Sequence, residues 1–233
     1  MISIRNVKKS FNKSTFAIND ISFDIKKGST IGLIGFNGAG KTTLLRIISN
    51  LLTPDSGKIL INGSENISSK ISMVDSNERS MFWRLTVMHN LEFFYDLHIS
   101  NSNDKDEKIY FALSSVECLH LRDHLFMHLS SGQKQLIKIA KSLMINPKVL
   151  VLDEATRSLD LKSKILLYKF LKKYKTDNPD LIVLWSTHNL DELDEMCDRV
   201  LWIESGNLKK DLSKESISEL YSTYIYENYL LNE

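Results

Sequence analysis

Cysteine is nearly absent from this chain: Cys118 and Cys197 are the two among 233 residues, at unrelated positions. A disulfide-held framework is excluded, and the pattern fits a reducing cytoplasm. Proline is scarce, at three, and no Pro/Gly/Ser-rich stretch divides the chain into independent parts. Long apolar runs are missing too. Leu181 to Trp185 is among the longest, far below the ~20 residues that a membrane-spanning helix needs, so the chain is not expected to cross a bilayer. The start, Met1-Ile2-Ser3-Ile4-Arg5, lacks the apolar stretch of a secretory signal. Charge of one sign is not in excess: 30 basic against 29 acidic residues give +1. With no dense basic block, nucleic acid has no electrostatic footing as a partner. What remains is 42% hydrophobic, enough for one substantial core.

Along the chain, Ile2 and Ile4, then Ile21, Phe23 and Ile25, alternate with polar residues as half-buried strands do. Pro54 to Gly57 reads as a turn, Lys58 to Ile61 as a strand, Asn62-Gly63 as a hairpin-type turn and Ile71 to Val74 as another strand. From about Thr86 to His128 the pattern is mainly helical. Val149 to Leu152 and Leu181 to Trp185 look like strands buried on both faces, with a helix from Lys162 to Tyr174 between them, which predicts a parallel α/β core. Lys214 to Glu233 reads as one or two amphipathic helices carrying Tyr221, Tyr224, Tyr226 and Tyr229.

Chemistry concentrates in a few places. Gly35-Phe36-Asn37-Gly38-Ala39-Gly40-Lys41-Thr42-Thr43 follows the apolar run Ile31 to Ile34 and precedes the helical pattern Leu44 to Ile48. Glycines let the backbone curl until successive N–H groups point at a phosphate chain, and the helix adds the positive end of its dipole. A nucleotide triphosphate is the expected ligand, with Lys41 reaching the β- and γ-phosphates and the Thr42 hydroxyl completing the coordination of Mg²⁺. A second element, Val149 to Glu154, delivers two adjacent carboxylates to the carboxyl edge of a sheet. Asp153 is expected to hold the Mg²⁺ shell through water and Glu154 to polarise the attacking water. Ser130, Ser131 and Gly132 precede a helical run, Gln135 to Met144, so a hydroxyl and N–H groups at a dipole end form a second anion site; an ordinary Ser helix cap is the plainer alternative.

With Leu129-Ser130-Ser131-Gly132-Gln133 placed before the acidic strand, the chain resembles the ATP-binding cassette family, the nucleotide-hydrolysing subunits of ABC transporters. That family's signature usually has Gly where Ser131 stands. The resemblance implies a P-loop NTPase core with a mainly parallel sheet, an N-terminal antiparallel β subdomain and a helical signature subdomain over about 86–145. The whole cassette spans 1–213, with a C-terminal helical extension at 214–233. It assigns Asn37, Gly38, Ala39, Gly40, Lys41, Thr42 and Thr43 to the phosphates of ATP, and Ser130, Ser131, Gly132 and Gln133 to the ATP of an opposing subunit. Ser158-Leu159-Asp160 resembles the loop that meets that subunit, and His188 resembles the switch histidine at the γ-phosphate. Phe11, 24 residues before Gly35, stands where the family places an aromatic that stacks on adenine. The implied protein is an ATPase working as a head-to-tail homodimer, or with a paralogous ATPase, on integral membrane permease subunits at the inner face of the membrane.

One departure stands out. Where the family carries a Gln after the strand Ile71 to Val74, this chain reads Asp75-Ser76-Asn77-Glu78-Arg79-Ser80, with Ser76 aligned to the Gln and Glu78 as another substitute. Glu78 to Thr86 looks similar to a variant in some ABC-2-type exporter ATPases, which leans the expectation toward export. His120, His124 and His128 recur at four-residue intervals, but no obvious set of carboxylates or cysteines completes a metal site. Phe82 and Trp83 are docking candidates or core. Two other classes compete. A soluble cassette ATPase acting as a switch is one, although Gly40 and Ser130 are only 90 positions apart, too close for an inserted coiled coil. A GTP-dependent switch or small-molecule kinase is the other, although no Asn-Lys-x-Asp motif is present and the Leu129 to Gln133 segment would then be coincidence.

Overall fold

In a computed structural model of the chain, the residues described are 1–12, 15–64, 70–75, 80–99 and 103–217. In chain order the elements are β1 (Ile2–Ser10), β2 (Phe16–Ile25), β3 (Thr30–Ile34), α1 (Lys41–Ile48), β4 (Ser56–Ile61), β5 (Ile71–Val74), α2 (Val87–His98), α3 (Lys105–Ser115), α4 (Ser131–Met144), β6 (Val149–Asp153), α5 (Leu161–Asp177), β7 (Ile182–Ser186), α6 (Leu190–Met196), β8 (Arg199–Glu204) and β9 (Asn207–Ser213). They fall into two compact units, residues 1–67 with 182–233, and residues 68–181.

In the first unit, β1 lies between β2 and β4 in an antiparallel sheet, with Ile2 opposite Ile25 on one side and Ile61 on the other. The inward alternation of Ile2, Ile4, Ile21 and Ile25 buries one face, as the sequence pattern predicts. The second sheet of this unit is built on β3, which pairs in parallel with β7 and β8. Every residue of β3 and β7 is buried, the signature of strands covered on both faces. The hairpin β8–β9 closes the edge, its strands antiparallel. Arg199 joins the two sheets, donating to the Asp24 carbonyl at 2.5 Å and to the Asp211 carboxylate at 2.6 Å. After β4, the Asn62-Gly63 turn has φ of 51° and 83°, and Ile61 bridges Ser64, so the expected tight turn forms.

In the second unit, β5 and β6 pair in parallel, Ile71 opposite Val149. Helix α4 packs on β5 and on α2 and α3. The described residues from Thr86 to His128 are mainly helical, as expected: α2 and α3, followed by two 3-10 turns, Leu119–Leu121 and Phe126–His128. Glu117 takes a left-handed φ of 56° where the chain breaks out of α3. His120, His124 and His128 therefore do not share a helix face, and no cluster of three or more metal-ligating residues exists among the described residues. At the end of the chain, Lys214–Ser216 forms a short 3-10 turn; the tyrosines from Tyr221 onward lie outside the described residues. No helix among the described residues is long and apolar enough to cross a membrane.

Candidate functional site

The phosphate loop of the first unit runs from the end of β3 into α1. Ala39 N donates back to the Phe36 carbonyl at 3.1 Å, and the Ala39 carbonyl accepts from Gly206 N in the β8–β9 turn at 2.9 Å. Gly40 is the N-cap of α1, at φ 108°, where a Cβ would fall 2.3 Å from the Ala17 carbonyl oxygen. Only glycine meets both demands. No side chain caps α1 and no acidic residue occupies its first turn, so neither a cap nor a carboxylate of its own turn claims the first amides of the helix. Asn37, Gly38 and Thr42 are exposed, Thr43 is half-buried, and Ala39 is packed inward. Lys41, 5% exposed, bends over its own loop and donates to the carbonyls of Gly35 at 2.6 Å and Phe36 at 3.0 Å.

Also in this unit, His188 is exposed on the turn between β7 and α6. Glu192, buried, anchors that turn: it accepts the Thr187 hydroxyl at 2.8 Å and the Trp185 indole N–H at 3.4 Å. Thr187 in turn accepts from Asn189 N at 3.0 Å, and Asn189 caps α6. The sequence offered no sign of this role for Glu192, because three other acids share the short helix. Phe11 is exposed, with the Lys9 ammonium 5.9 Å from its ring centroid.

The second unit carries the carboxylates and the signature segment. β6 ends at Asp153, buried, and Glu154 follows in a left-handed conformation, φ 51°. For a residue with a Cβ this conformation is strained. The Glu154 carboxylate pairs with Arg157 at 3.2 Å. Asp160 is the N-cap of α5, accepting from Ser163 N at 2.8 Å. That backbone hydrogen bond holds its carboxyl below the ordinary value.

Ser130 caps α4 in a reciprocal box. Its hydroxyl accepts from Gln133 N at 3.2 Å, and the Gln133 side-chain oxygen accepts from Ser130 N at 3.0 Å. The plainer alternative, an ordinary cap, thus accounts for the Ser130 acceptor lone pair and for Gln133. The amides of Ser131 and Gly132, at the positive end of the helix dipole, donate to nothing among the described residues. Ser76 and Glu78, the two candidates for the missing Gln, lie outside the described residues. Phe82, Trp83 and Phe93 are exposed, and Phe82 meets Phe93 edge-on with centroids 4.9 Å apart. Two buried residues passed unnoticed in the sequence. Asn90, fully buried, binds Phe82 N at 2.7 Å and the Phe82 and Thr86 carbonyls at 2.9 Å. Lys138, also buried, donates to the Asp75 carbonyl at 2.6 Å.

A phosphate loop between a buried strand and a helix, with adjacent carboxylates closing another buried strand, defines a nucleotide-hydrolysing α/β protein. The family profile described as "ABC transporter" matches residues 18–157. The chain is 34% identical over 231 residues to the energy-coupling factor transporter ATP-binding protein EcfA1 of Streptococcus thermophilus (strain CNRZ 1066), covering 95% of this chain and 82% of that protein. It is 33% identical over 235 residues to EcfA1 of Streptococcus sanguinis (strain SK36), covering 94% and 84%. Among solved structures, the dimeric post-hydrolysis state of the ATP-binding cassette MJ0796 bound to ADP and Pi superposes with a TM-score of 0.84 at 23% identity, over 92% of this chain and 99% of that one. The structure of cbiO1 from Clostridium perfringens, part of the ABC transporter complex cbiONQ, gives 0.81 at 24% identity, over 98% and 95%. At those identities the likeness speaks to the fold, which is that of the P-loop NTPase cassette.

The chain belongs to the ATP-binding cassette transporter family. It is an ATPase that binds ATP, converts ATP and water to ADP and phosphate, and couples this to transport. The leaning toward export finds no support here, since these relatives carry the energy-coupling factor name.

Proposed function

We propose that this chain is the ATPase subunit of a transporter of the energy-coupling factor kind, working head-to-tail with a second copy or a paralogous ATPase on separate integral membrane subunits. The carrying observation is that two helix N-termini far apart in sequence keep amides open to an anion: α1 beginning at Gly40 without a side-chain cap, and α4, whose Ser131 and Gly132 amides have no acceptor among the described residues. One ATP per phosphate loop leaves its outer face open to water; the α4 end of the opposing subunit covers it. Asn37 to Thr43 hold the phosphates, Lys41 supplies charge, and Phe11 stacks on adenine. Asp160, beside the α4 cap residues Ser130 and Gly132 around one cavity, belongs to the loop facing the opposing subunit.

The exposed Thr42 hydroxyl and the buried Asp153 carboxylate each offer a hard oxygen of the kind Mg²⁺ takes, Asp153 through water. An ion held by these donors would supply positive charge against the β- and γ-phosphates. Glu154 takes a proton from water as its oxygen bonds to the γ-phosphorus and the bond to the β-bridging oxygen breaks, while His188 steadies the γ-phosphate. ATP binding closes the pair and hydrolysis loosens it, a population shift that the membrane subunits feel. The exposed aromatic face of Phe82, Trp83 and Phe93 is where they dock. The chain is then peripheral at the inner membrane face, and the membrane subunits choose the cargo.

The test is Glu154→Gln. ATP binding persists, turnover falls at least about a hundredfold, and light scattering detects dimers with ATP but not with ADP. Wild-type turnover in that variant removes the general-base role. Failure of the wild-type chain to copurify with a membrane protein favours a cassette ATPase acting as a soluble switch.

A further inference from the structure

Three lysines of α4, at positions 134, 138 and 141, share one helix face through spacings of four and three. That face meets Asp75, Ser80, Trp83 and Phe94 of the same unit. Lys138, 2% exposed, donates to the Asp75 carbonyl at 2.6 Å, immediately after β5. Lys141 donates to the Ser80 carbonyl at 3.3 Å, its ammonium 4.2 Å from the Phe94 ring centroid. The Lys134 ammonium stands 4.3 Å from the Trp83 ring centroid. A buried ammonium is costly unless paired, and packing alone is served by Leu or Met, which α4 uses at Leu143 and Met144. Both of these bonds, from Lys138 to Asp75 and from Lys141 to Ser80, end on main-chain carbonyls, so they bear directly on the course of the backbone at Asp75 and Ser80.

The same helix begins at the Ser130–Gln133 cap, about 12 Å from Lys138 at 1.5 Å per residue. A helix transmits displacement along its axis without absorbing it. Beyond Ser80, buried Asn90 grips the Phe82 backbone on both its N–H and C=O. A continuous path of hydrogen bonds and ring contacts therefore runs from the α4 cap to exposed Phe82 and Trp83.

We propose that Lys138 and Lys141 are positioning residues that fasten the end of β5 and the Ser80–Phe82 turn to α4, so that nucleotide engagement at Ser131 and Gly132 is transmitted to Phe82 and Trp83. The nature of that engagement rests on the function proposed above; the fastening does not.

Hydrogen exchange on the full chain tests both parts, using wild type, K138M, K141M, the double variant and K141R, with and without a non-hydrolysable ATP analogue. Without nucleotide, amides 80–83 exchange at least about tenfold faster in K141M, and the amides of Val74 and Asp75 in K138M, a loss the size of one charge-assisted hydrogen bond, while 131–135 stay unchanged. With the analogue, wild type gains protection at 131–135 and 80–83 together, the double variant at 131–135 alone, and K141R regains the joint response. Unchanged exchange at 80–83, joint protection persisting in the double variant, or acceleration spread through β6 overturns the proposal. A wild-type chain that gains no protection at 131–135 defeats the proposed function instead, and the nucleotide-free comparison still decides the fastening.

Discussion

The Thr187 hydroxyl donates to the buried Glu192 carboxylate at 2.8 Å, one residue before His188. A strand end and the helix that follows it are thereby locked at the residue expected to meet the γ-phosphate.

Glu192→Ala leaves a buried hydroxyl and an indole N–H without this acceptor, which costs about 1–3 kcal/mol. His188 keeps its identity but loses its anchored turn. Turnover is expected to fall about tenfold or more, with ATP affinity within about twofold, since the phosphate loop is untouched. Equal turnover in a folded variant shows that the turn holds itself.

Glu154 is strained by its left-handed backbone, and glycine relieves that strain, about 1 kcal/mol. The half-exposed pairing with Arg157 offsets little of this. Glu154→Gly is thus expected to melt within a few degrees of wild type, or above it, while turnover is lost. A large fall in melting temperature contradicts strain at this position.

Burial pushes the Lys141 ammonium down to about 8 from its ordinary 10.5, with Lys138 adding repulsion and Asp75 opposing the shift. Between those values the unfolded chain binds more protons than the folded one, so this lysine makes stability rise with pH across that window. Burial also pushes the Cys118 thiol up to about 11 from 9.0, and this makes stability fall from about 9 upward, the opposite sign. The difference between wild type and Lys141→Met cancels the thiol. Chemical denaturation is expected to show that difference growing in favour of wild type by on the order of 2 kcal/mol between pH 8 and 10.5. A flat difference means that Lys141 titrates normally.

Lys41 bonds to two carbonyls of its own loop. Lys41→Ala therefore loses both a phosphate charge and a brace on the curl, and ATP affinity is expected to drop about 10- to 100-fold by calorimetry. An unchanged dissociation constant refutes the phosphate role.

Much of this was legible from residue order. Val149 to Leu152 and Leu181 to Trp185 read as doubly buried strands because nothing polar interrupts them, and the loop before Lys41 is recognisable by its glycines and the apolar run Ile31 to Ile34 before it. The box between Ser130 and Gln133 was also readable, since a Ser followed three residues later by Gln is a capping pattern. The β8–β9 hairpin was not: β9 carries only two leucines, Leu208 and Leu212, among polar residues, and its partner identifies it. Glu192, Asn90 and Lys138 were equally hidden, because a polar residue's burial depends on neighbours distant in sequence.

The tip of β8–β9 has the look of a tolerant site for an epitope or a fluorescent label, being a short turn of Ser205 and Gly206. It is not a spare one. Gly206 donates to the Ala39 carbonyl at 2.9 Å and accepts from Asn19 N at 2.7 Å, so the hairpin tip stitches β2 to the phosphate loop. Residues inserted there reach the nucleotide through two hydrogen bonds, and a probe so placed perturbs the affinity it was meant to report.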